Sequence, residues 1–561
     1  MFMDTKAENK TCKNCSKDFT ISAEDFSFYE KIKVPPPTWC PTCRQQRRYS
    51  WRNERTLYRR PCDLCQKSTV TIYSPNKPFK VYCNLCWWSD KWDPASVGRD
   101  FDFTRPFFEQ FRELQLEAPR MALLNKNSTN SEYTNHSGNN KNVFLSFCVF
   151  DGENIMHSNW VMKNSRECLD CSFINEKGER LYECIDSKTS YQSQYSVFLK
   201  DCSSCLYTYD LRGCNDCFMS TNLRNKSYVF RNVQLTREEY KEKMKEIDLS
   251  SFEIREALNK EFEEMVKNVA INRYVISERN VNSTGSFIFD SKNANQAFEV
   301  DQGENVKYIY GGVDLKESYD IYHAGYNTEL CYELHGCTRT SNCQFCHLCY
   351  DNLNISYCDT CQNSQNLFGC VSVKKGEYMI FNKKYSKEDY LVLKERIIER
   401  MKSTGEYGEF FPPEMAPVYY NETQGNLYLP MTKEEVLAKG WQWEDNLPGT
   451  FGKETVSTAN MPDKITDVAD SYLKEVFACM SCSKNYNISQ NELLFYRKEN
   501  IPLPRKCPNC RYKRRFDLHP KRQLWDGSCM KEGCKNEFKT CYQPSSGVKV
   551  YCDKCYNEVV Y

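Results

Sequence analysis

LKDCSSCLYTYDLRGCNDCFMSTNLRNKSYVFRNVQL, residues 199–235, repeats its character every twelve positions. Leu199, Leu211, Leu223 and Leu235 fall in one column, and Leu206, Phe218 and Phe230 in another. A fixed short period with apolar residues in register is what a parallel β-solenoid requires, because each coil stacks about 4.8 Å above the last and like residues sit over like. The same rhythm runs through 139–235 and returns in 283–383, both rich in Asn, Ser, Tyr, Phe and Cys. In the second segment Phe298, Tyr310, Tyr322, Leu334, Cys346, Cys358 and Cys370 form one column. Tyr319, Cys331, Cys343, Ile355, Leu367 and Met379 form the next, and Cys337, Cys349, Cys361 and Val373 a third. Asn342, Asn354 and Asn366 suggest an asparagine ladder. The period leaves open whether one coil takes twelve residues or twice that number.

Both repeat segments end alike, in NKSYVFRNVQLTREEY and KGEYMIFNKKYSKEDY, and then enter helices. Thr236 with Glu239, and Ser386 with Asp389, are spaced as N-cap and N3 partners, so each helix closes the apolar end of a stack. Each segment also holds a C-x2-C-x8-C-x2-C run: Cys202, Cys205, Cys214 and Cys217, and then Cys346, Cys349, Cys358 and Cys361. Metal binding and core packing both fit such runs. When the copies are aligned on their shared ends, Cys205 and Cys217 fall opposite Ile355 and Leu367, which favours packing, since buried cysteine behaves as a small apolar residue.

Outward from the repeats, the cysteines change their spacing. Cys12 and Cys15, Cys40 and Cys43, Cys62 and Cys65, and Cys83 and Cys86 form four C-x2-C pairs. The far end repeats them as Cys479 and Cys482, Cys507 and Cys510, Cys529 and Cys534, and Cys552 and Cys555, with the same 24, 18 and 17 residues between successive pairs. Only Cys529 and Cys534 widen to C-x4-C, and Cys541 is left over. Zinc takes four thiolates at tetrahedral corners, two from each tight knuckle, and its binding energy folds a segment too small to hold itself by packing. Sixteen of the 33 cysteines therefore predict about four zinc ions per chain. The duplication extends beyond cysteine. Residues 12–48 align without gaps on 479–515, placing Phe28 and Tyr29 opposite Phe495 and Tyr496, and Arg44, Arg47 and Arg48 opposite Arg511, Arg514 and Arg515.

The stretch from Cys12 to Arg48, with its FY and CPxCR elements, resembles the small "probable zinc-ribbon" domain of bacterial proteins. WWSDKWD at 87–93, FFPPEMAPVYYNET at 410–423 and ELLFYRKENIPLPRKCPNCR at 492–511 are similar to large zinc-ribbon proteins of candidate-phyla bacteria. This resemblance implies zinc ribbons and brings no activity with it.

The predicted class is mainly β: two parallel β-solenoid segments with capping helices, flanked by duplicated paired zinc-ribbon or treble-clef-like modules. Expected boundaries are a zinc module at 1–98, a docking helix and connector at 99–138, and a solenoid at 139–235. Capping helices follow at 236–282, a second solenoid at 283–383, a cap and irregular segment at 384–445, a flexible linker at 446–470 and the last module at 471–561. Thr104 is the expected N-cap of the docking helix.

With 76 basic and 75 acidic residues the formal charge is +1, so no global field draws the 561-residue chain to nucleic acid or membrane. No signal peptide or spanning segment is evident, which predicts a cytoplasmic protein with reduced thiols. Local charge is another matter. Arg44, Arg47, Arg48 and Arg52, interleaved with Tyr49 and Trp51, and Arg511, Arg514 and Arg515 beside Tyr512, suit RNA or single-stranded DNA. The same arginines suit solvated or ion-paired ribbon surfaces. No P-loop, H-E-x2-H, G-x-S-x-G or Rossmann fingerprint is present, and none of the six histidines lies in a ligand-spaced cluster. Three functions remain: a nucleic-acid binder using those arginines, a protein-interaction scaffold using the solenoid face, and a solenoid-based carbohydrate-active enzyme built on acids such as Asp301, Asp314 and Asp320. The sequence assigns no catalytic residue and no oligomeric state.

Overall fold

The computed structural model describes residues 6–313, 315–323, 332, 333, 336 and 351–561. The chain forms two compact units, each made from two separated stretches: Met1–Leu123 with Ile276–Asn446, and Leu124–Val275 with Leu447–Tyr561. The serial arrangement expected from the sequence is thus redistributed. The N-terminal cysteine module joins the second repeat segment, and the C-terminal module joins the first.

The first repeat segment builds the parallel sheets of the second unit. Lys141 pairs with Glu153, Phe147 with Asn159, Val197 with Tyr209 and Ser203 with Asn215, so each strand lies beside the segment twelve residues on. Two turns take thirteen. A shorter rhythm of three lies inside the twelve. Asn142, Leu145, Cys148, Asp151, Asn154, His157 and Trp160 all have positive φ, while Val143, Ser146, Val149, Gly152, Ile155, Ser158 and Val161, each next in line, are buried. A left-handed φ costs a non-glycine residue about 1–2 kcal/mol, least for Asn and Asp, which explains their abundance here. Backbone bonds between successive turns offset that strain, for example Ser203 N–H to the Cys214 carbonyl at 3.0 Å and Ser204 N–H to the Tyr191 carbonyl at 3.1 Å.

Three-residue sides leave room for one small or medium inward side chain each. Serine fits because its hydroxyl is satisfied twice. Ser146 Oγ donates to the Phe144 carbonyl (3.0 Å) and accepts from Ser158 N–H (3.0 Å). Cysteine takes the same slot: Cys171, Cys202, Cys205, Cys214 and Cys217 each donate to the carbonyl two residues back, at 3.2–3.4 Å. Leu199, Leu211 and Leu223 line the interior with them. Leu206, Phe218 and Phe230 instead pack outside the stack, beneath Leu258, Phe262 and Met265 of the helix Phe252–Asn268.

The second segment repeats this construction in the first unit, with Phe298 beside Tyr310, Lys292 beside Glu304, and Leu353, Gln365 and Glu377 in one row. Ile355, Leu367 and Met379 are interior, as are Cys358, Cys361 and Cys370. Two column assignments need correction. Tyr319 does not continue the Ile355 column but stacks outward on Phe28, centroids 3.9 Å apart. The interior residues above Cys358 are Ile309 and Ile321, not Tyr310 and Tyr322. Leu334, Cys331, Cys337, Cys343, Cys346, Cys349, Asn342 and Asp314 lie outside the described residues. The asparagine ladder holds at Asn354 to Asn366 (3.4 Å).

Each stack ends in a short antiparallel return, Val229 with Gln234 and Met379 with Lys384, and then a capped helix. Thr236 and Glu239 form a full capping box, and Ser386 accepts from Asp389 N–H. Tyr240 and Tyr390 lay their rings against Tyr228 and Tyr378 of the last turns, 6.0 and 5.7 Å away. The helix Phe107–Glu117 begins two residues later than expected, with Pro106 rather than Thr104 at its N-cap. It buries Phe107, Phe111 and Leu114 among Tyr357, Phe368, Phe381 and Phe411. The expected linker is mostly exposed but anchored in its second half, where Met461, Ile465 and Val468 enter the module core with Phe477 and Tyr486. Its Pro, Gly and Ser content conceals three spaced apolar anchors. Among the described residues no helix is long and apolar enough to cross a membrane.

Candidate metal centres

Four tetrads converge: Cys12, Cys15, Cys40 and Cys43; Cys62, Cys65, Cys83 and Cys86; Cys479, Cys482, Cys507 and Cys510; and Cys529, Cys534, Cys552 and Cys555. All sixteen expected ligands take part, and within each tetrad the sulfurs lie within 4.8 Å of one another. Local structure explains the convergence. Ser16, Gln66 and Ser483 take positive φ just after the first knuckles, turning the chain back under the sulfurs. Pro41 and Pro508 then start helices directly from Cys40 and Cys507, aiming the second pair inward.

Corresponding sulfurs repeat the same distances: Cys15–Cys40 3.8 Å, Cys65–Cys83 4.0 Å, Cys482–Cys507 3.7 Å and Cys534–Cys552 4.0 Å. Tetrahedral zinc with Zn–S bonds of about 2.3 Å places its sulfurs about 3.8 Å apart, so the donor set and its size fit the ion. Backbone amides support the anionic form. Cys12, Cys62, Cys479 and Cys529 each accept an N–H from the second knuckle at 3.2–3.3 Å. For Cys62 and Cys479 burial pushes the thiol up, but the surrounding N–H donors prevail and bring both down to about 7. Cys541 is outside the tetrads, buried with its sulfur 3.7 Å from the Tyr274 carbonyl.

The arginines have a different setting from the one expected. Arg44 is 1% exposed and donates from Nε to Asp320 (3.0 Å) and from Nη1 to the Trp39 carbonyl (2.7 Å). Arg48 reaches Asp320 (3.2 Å) and Glu333 (3.7 Å), while Arg47 pairs with Glu333 and with Glu409 (2.8 Å). Arg52 is buried against Glu54 (2.7 Å). In the second unit Arg511 pairs with Asp170 (2.8 Å), Arg515 with Asp170 (3.2 Å) and Glu183 (3.0 Å), and Arg514 with Glu183 (2.9 Å). Apart from Arg514, whose side chain is 26% exposed, these guanidiniums point into carboxylates and not toward solvent. The correction has a plain cause. Desolvation would lower the Arg44 and Arg511 pKa values, yet Asp320 and Asp170 more than compensate and hold both well above the usual arginine value.

The aspartates and glutamates that mount the modules were not singled out in the sequence. Asp170 and Glu183 stand in the same relation to each other as Asp320 and Glu333, and the two stacks match at one constant offset. That offset also matches His157, bound to Glu492 (2.9 Å), with Lys307, bound to Asp25 (2.7 Å). It matches Glu167–Lys498 with Glu317–Lys31 as well. Aligning both duplications together was the signal that would have found the mounts. Asp320, considered as a carbohydrate-active acid, is instead locked between Arg44 and Arg48. No protein-family model, curated protein or solved structure matches the chain.

Proposed function

We propose that this is a zinc-binding, non-enzymatic scaffold. Four structural zinc ions order the two modules, each module clamps one parallel β-solenoid of twelve-residue coils, and the outward solenoid faces serve a protein partner. The observation that carries this reading is that the six arginines shared by the modules pair with stack carboxylates in the same pattern in both units. Contact with RNA or single-stranded DNA through Arg44, Arg47, Arg48, Arg511, Arg514 and Arg515 would first require breaking those pairs, so the scaffold reading takes its place. Polar ladders support it: Asn127, Asn139 and Asp151, and Asn130, Asn142 and Asn154, run along exposed rows with side-chain bonds of 3.0–3.4 Å. Such rows keep a flat, regular face ordered and ready for contact.

Elemental analysis of gently isolated protein should return four zinc ions per chain. Fluorescence anisotropy with a single-stranded oligouridine should give no saturable binding. Tight binding that weakens steeply with salt, and whose salt slope flattens in a folded Arg44→Ala, Arg47→Ala, Arg48→Ala variant, would return the function to nucleic acid.

A further inference from the structure

The two docking interfaces are unequal in charge. In the first unit Arg44, Arg47 and Arg48 face three carboxylates, those of Asp320, Glu333 and Glu409. In the second, Arg511, Arg514 and Arg515 face two, those of Asp170 and Glu183. Arg514 is the counterpart of Arg47 but has Glu183 alone, with nothing in the place of Glu409 among the described residues. It borders a small cleft of about 40 Å³ that opens to solvent on one side.

Two further guanidiniums line that cleft, beside Glu183 and Glu256: Arg255 forms no ion pair among the described residues, and the half-buried Arg505 forms none there but lies in the field of Asp463. Arg255 is 2% exposed. Its Nε donates to the Leu249 carbonyl (2.6 Å) and Nη2 to the Asn500 carbonyl (3.3 Å), while Nη1 makes no hydrogen bond. Arg505 donates from Nη2 to the Met461 carbonyl (3.2 Å), and its Nε is buried without a partner. Aromatic rings fix both: Arg255 and Arg514 lie 5.6 and 5.5 Å from the Tyr195 centroid, and Arg505 lies 4.0 Å from that of Phe252. A buried guanidinium without a counter-charge is strongly unfavourable, and its planar fork of donors matches the oxygens of a phosphate or carboxylate.

We propose that this cleft binds an oxyanion, the phosphate or carboxylate group of a small ligand, held by Arg255, Arg505 and Arg514. The bound anion supplies the charge that Glu409 supplies within the other unit. Tyr195 and Phe252 give it rigid aromatic walls, and the solvent-facing side leaves room for the rest of the ligand. The site stands apart from the scaffold reading, since it needs no macromolecular partner.

The test is calorimetric titration of the full-length, zinc-loaded protein with inorganic phosphate and, separately, with succinate in chloride buffer. Saturable one-site binding of either is expected, weakened at least tenfold by Arg255→Met and by Arg505→Gln with zinc content unchanged. Phosphate binding alone assigns a phosphate ligand, succinate alone a carboxylate, and both together support the shared chemistry. Should Arg255→Met fail to fold, Arg505→Gln, a less buried residue with one backbone contact, decides the matter. No saturable heat from either anion, or binding indifferent to these substitutions, overturns the proposal.

Discussion

The first and second units solve one problem with different charges. Each seats a cysteine module on a parallel stack by inserting three arginines between an aspartate and a glutamate, Asp320 and Glu333 in one, Asp170 and Glu183 in the other. Around that shared centre they diverge. The first unit adds Glu409 and a Lys307–Asp25 pair, and the second has His157 with Glu492 and, among the described residues, no third carboxylate paired with its arginines. What persists through duplication is the arginine–aspartate–glutamate core. The cation that meets the buried carboxylate at the start of the module's first helix changes, from Lys307 on Asp25 to His157 on Glu492.

Removing metal should break the comparison altogether, because both units depend equally on it. Titration with a strong chelator should release four zinc ions and unfold both modules, as binding worth about 10–16 kcal/mol per structural site is lost. Retention of native circular dichroism after complete release would separate folding from metal.

Neutralising one mount should affect one unit. Asp170→Asn leaves Arg511 and Arg515 poorly compensated in the second unit, and Asp320→Asn does the same to Arg44 and Arg48 in the first. Each should destabilise its own unit by about 3–5 kcal/mol, seen as an earlier urea transition with the other transition unmoved. Equal movement of both transitions would deny that the units are separate.

The marginal pairs sharpen the contrast. His157→Ala strands the buried Glu492 and should cost about 1–3 kcal/mol, whereas His157→Lys installs the cation of the other unit and should recover most of it. Urea midpoints of the two variants read the difference directly.

Acidity should then push the units apart. Burial drives Glu333 up to about 6 against the pull of Arg47 and Arg48, whereas at Glu183 burial loses to Arg514 and Arg515 and the carboxyl is lowered. A carboxyl raised in the folded state weakens folding above that value. Lowering pH from 7 to 5 should therefore strengthen the first unit by about 1 kcal/mol. Glu183 favours folding above the unfolded carboxyl range and gives up that contribution only below it, so over the same interval the second unit should hold steady. Urea midpoints at pH 7, 6 and 5 measure both. Smallest of all, Thr236→Ala and Ser386→Ala each remove an N-cap closing a stack and should cost about 1 kcal/mol in thermal unfolding.

The sixteen cysteines of the four tetrads could be read directly from the sequence, because a four-thiolate site imposes fixed spacing on short loops. The twelve-residue rhythm was legible too, and it survives as the pairing offset of the parallel strands. The three-residue rhythm within it was not. Ser, Cys, Val, Leu and Gly all occupy one kind of inward slot, so no single residue type marks it. The arginines misled for a related reason. A guanidinium flanked by tyrosine and tryptophan looks the same in a sequence whether it meets a phosphate or a carboxylate, and the stack acids it meets are about 270–340 residues away in the chain. In the first stack, single-residue insertions alter which face a side chain takes while leaving local composition unchanged.

The chain path has a consequence for synthesis. Neither stack is followed by the module that clamps it: the second finds its module already made, while the first waits for residues beyond Leu447. As translation proceeds from the amino end, the stack that emerges earlier is therefore the one that stays unclamped longer. Its capped helices, from Arg237 to Asn268, are made in that interval and give the waiting sheet its earliest cover.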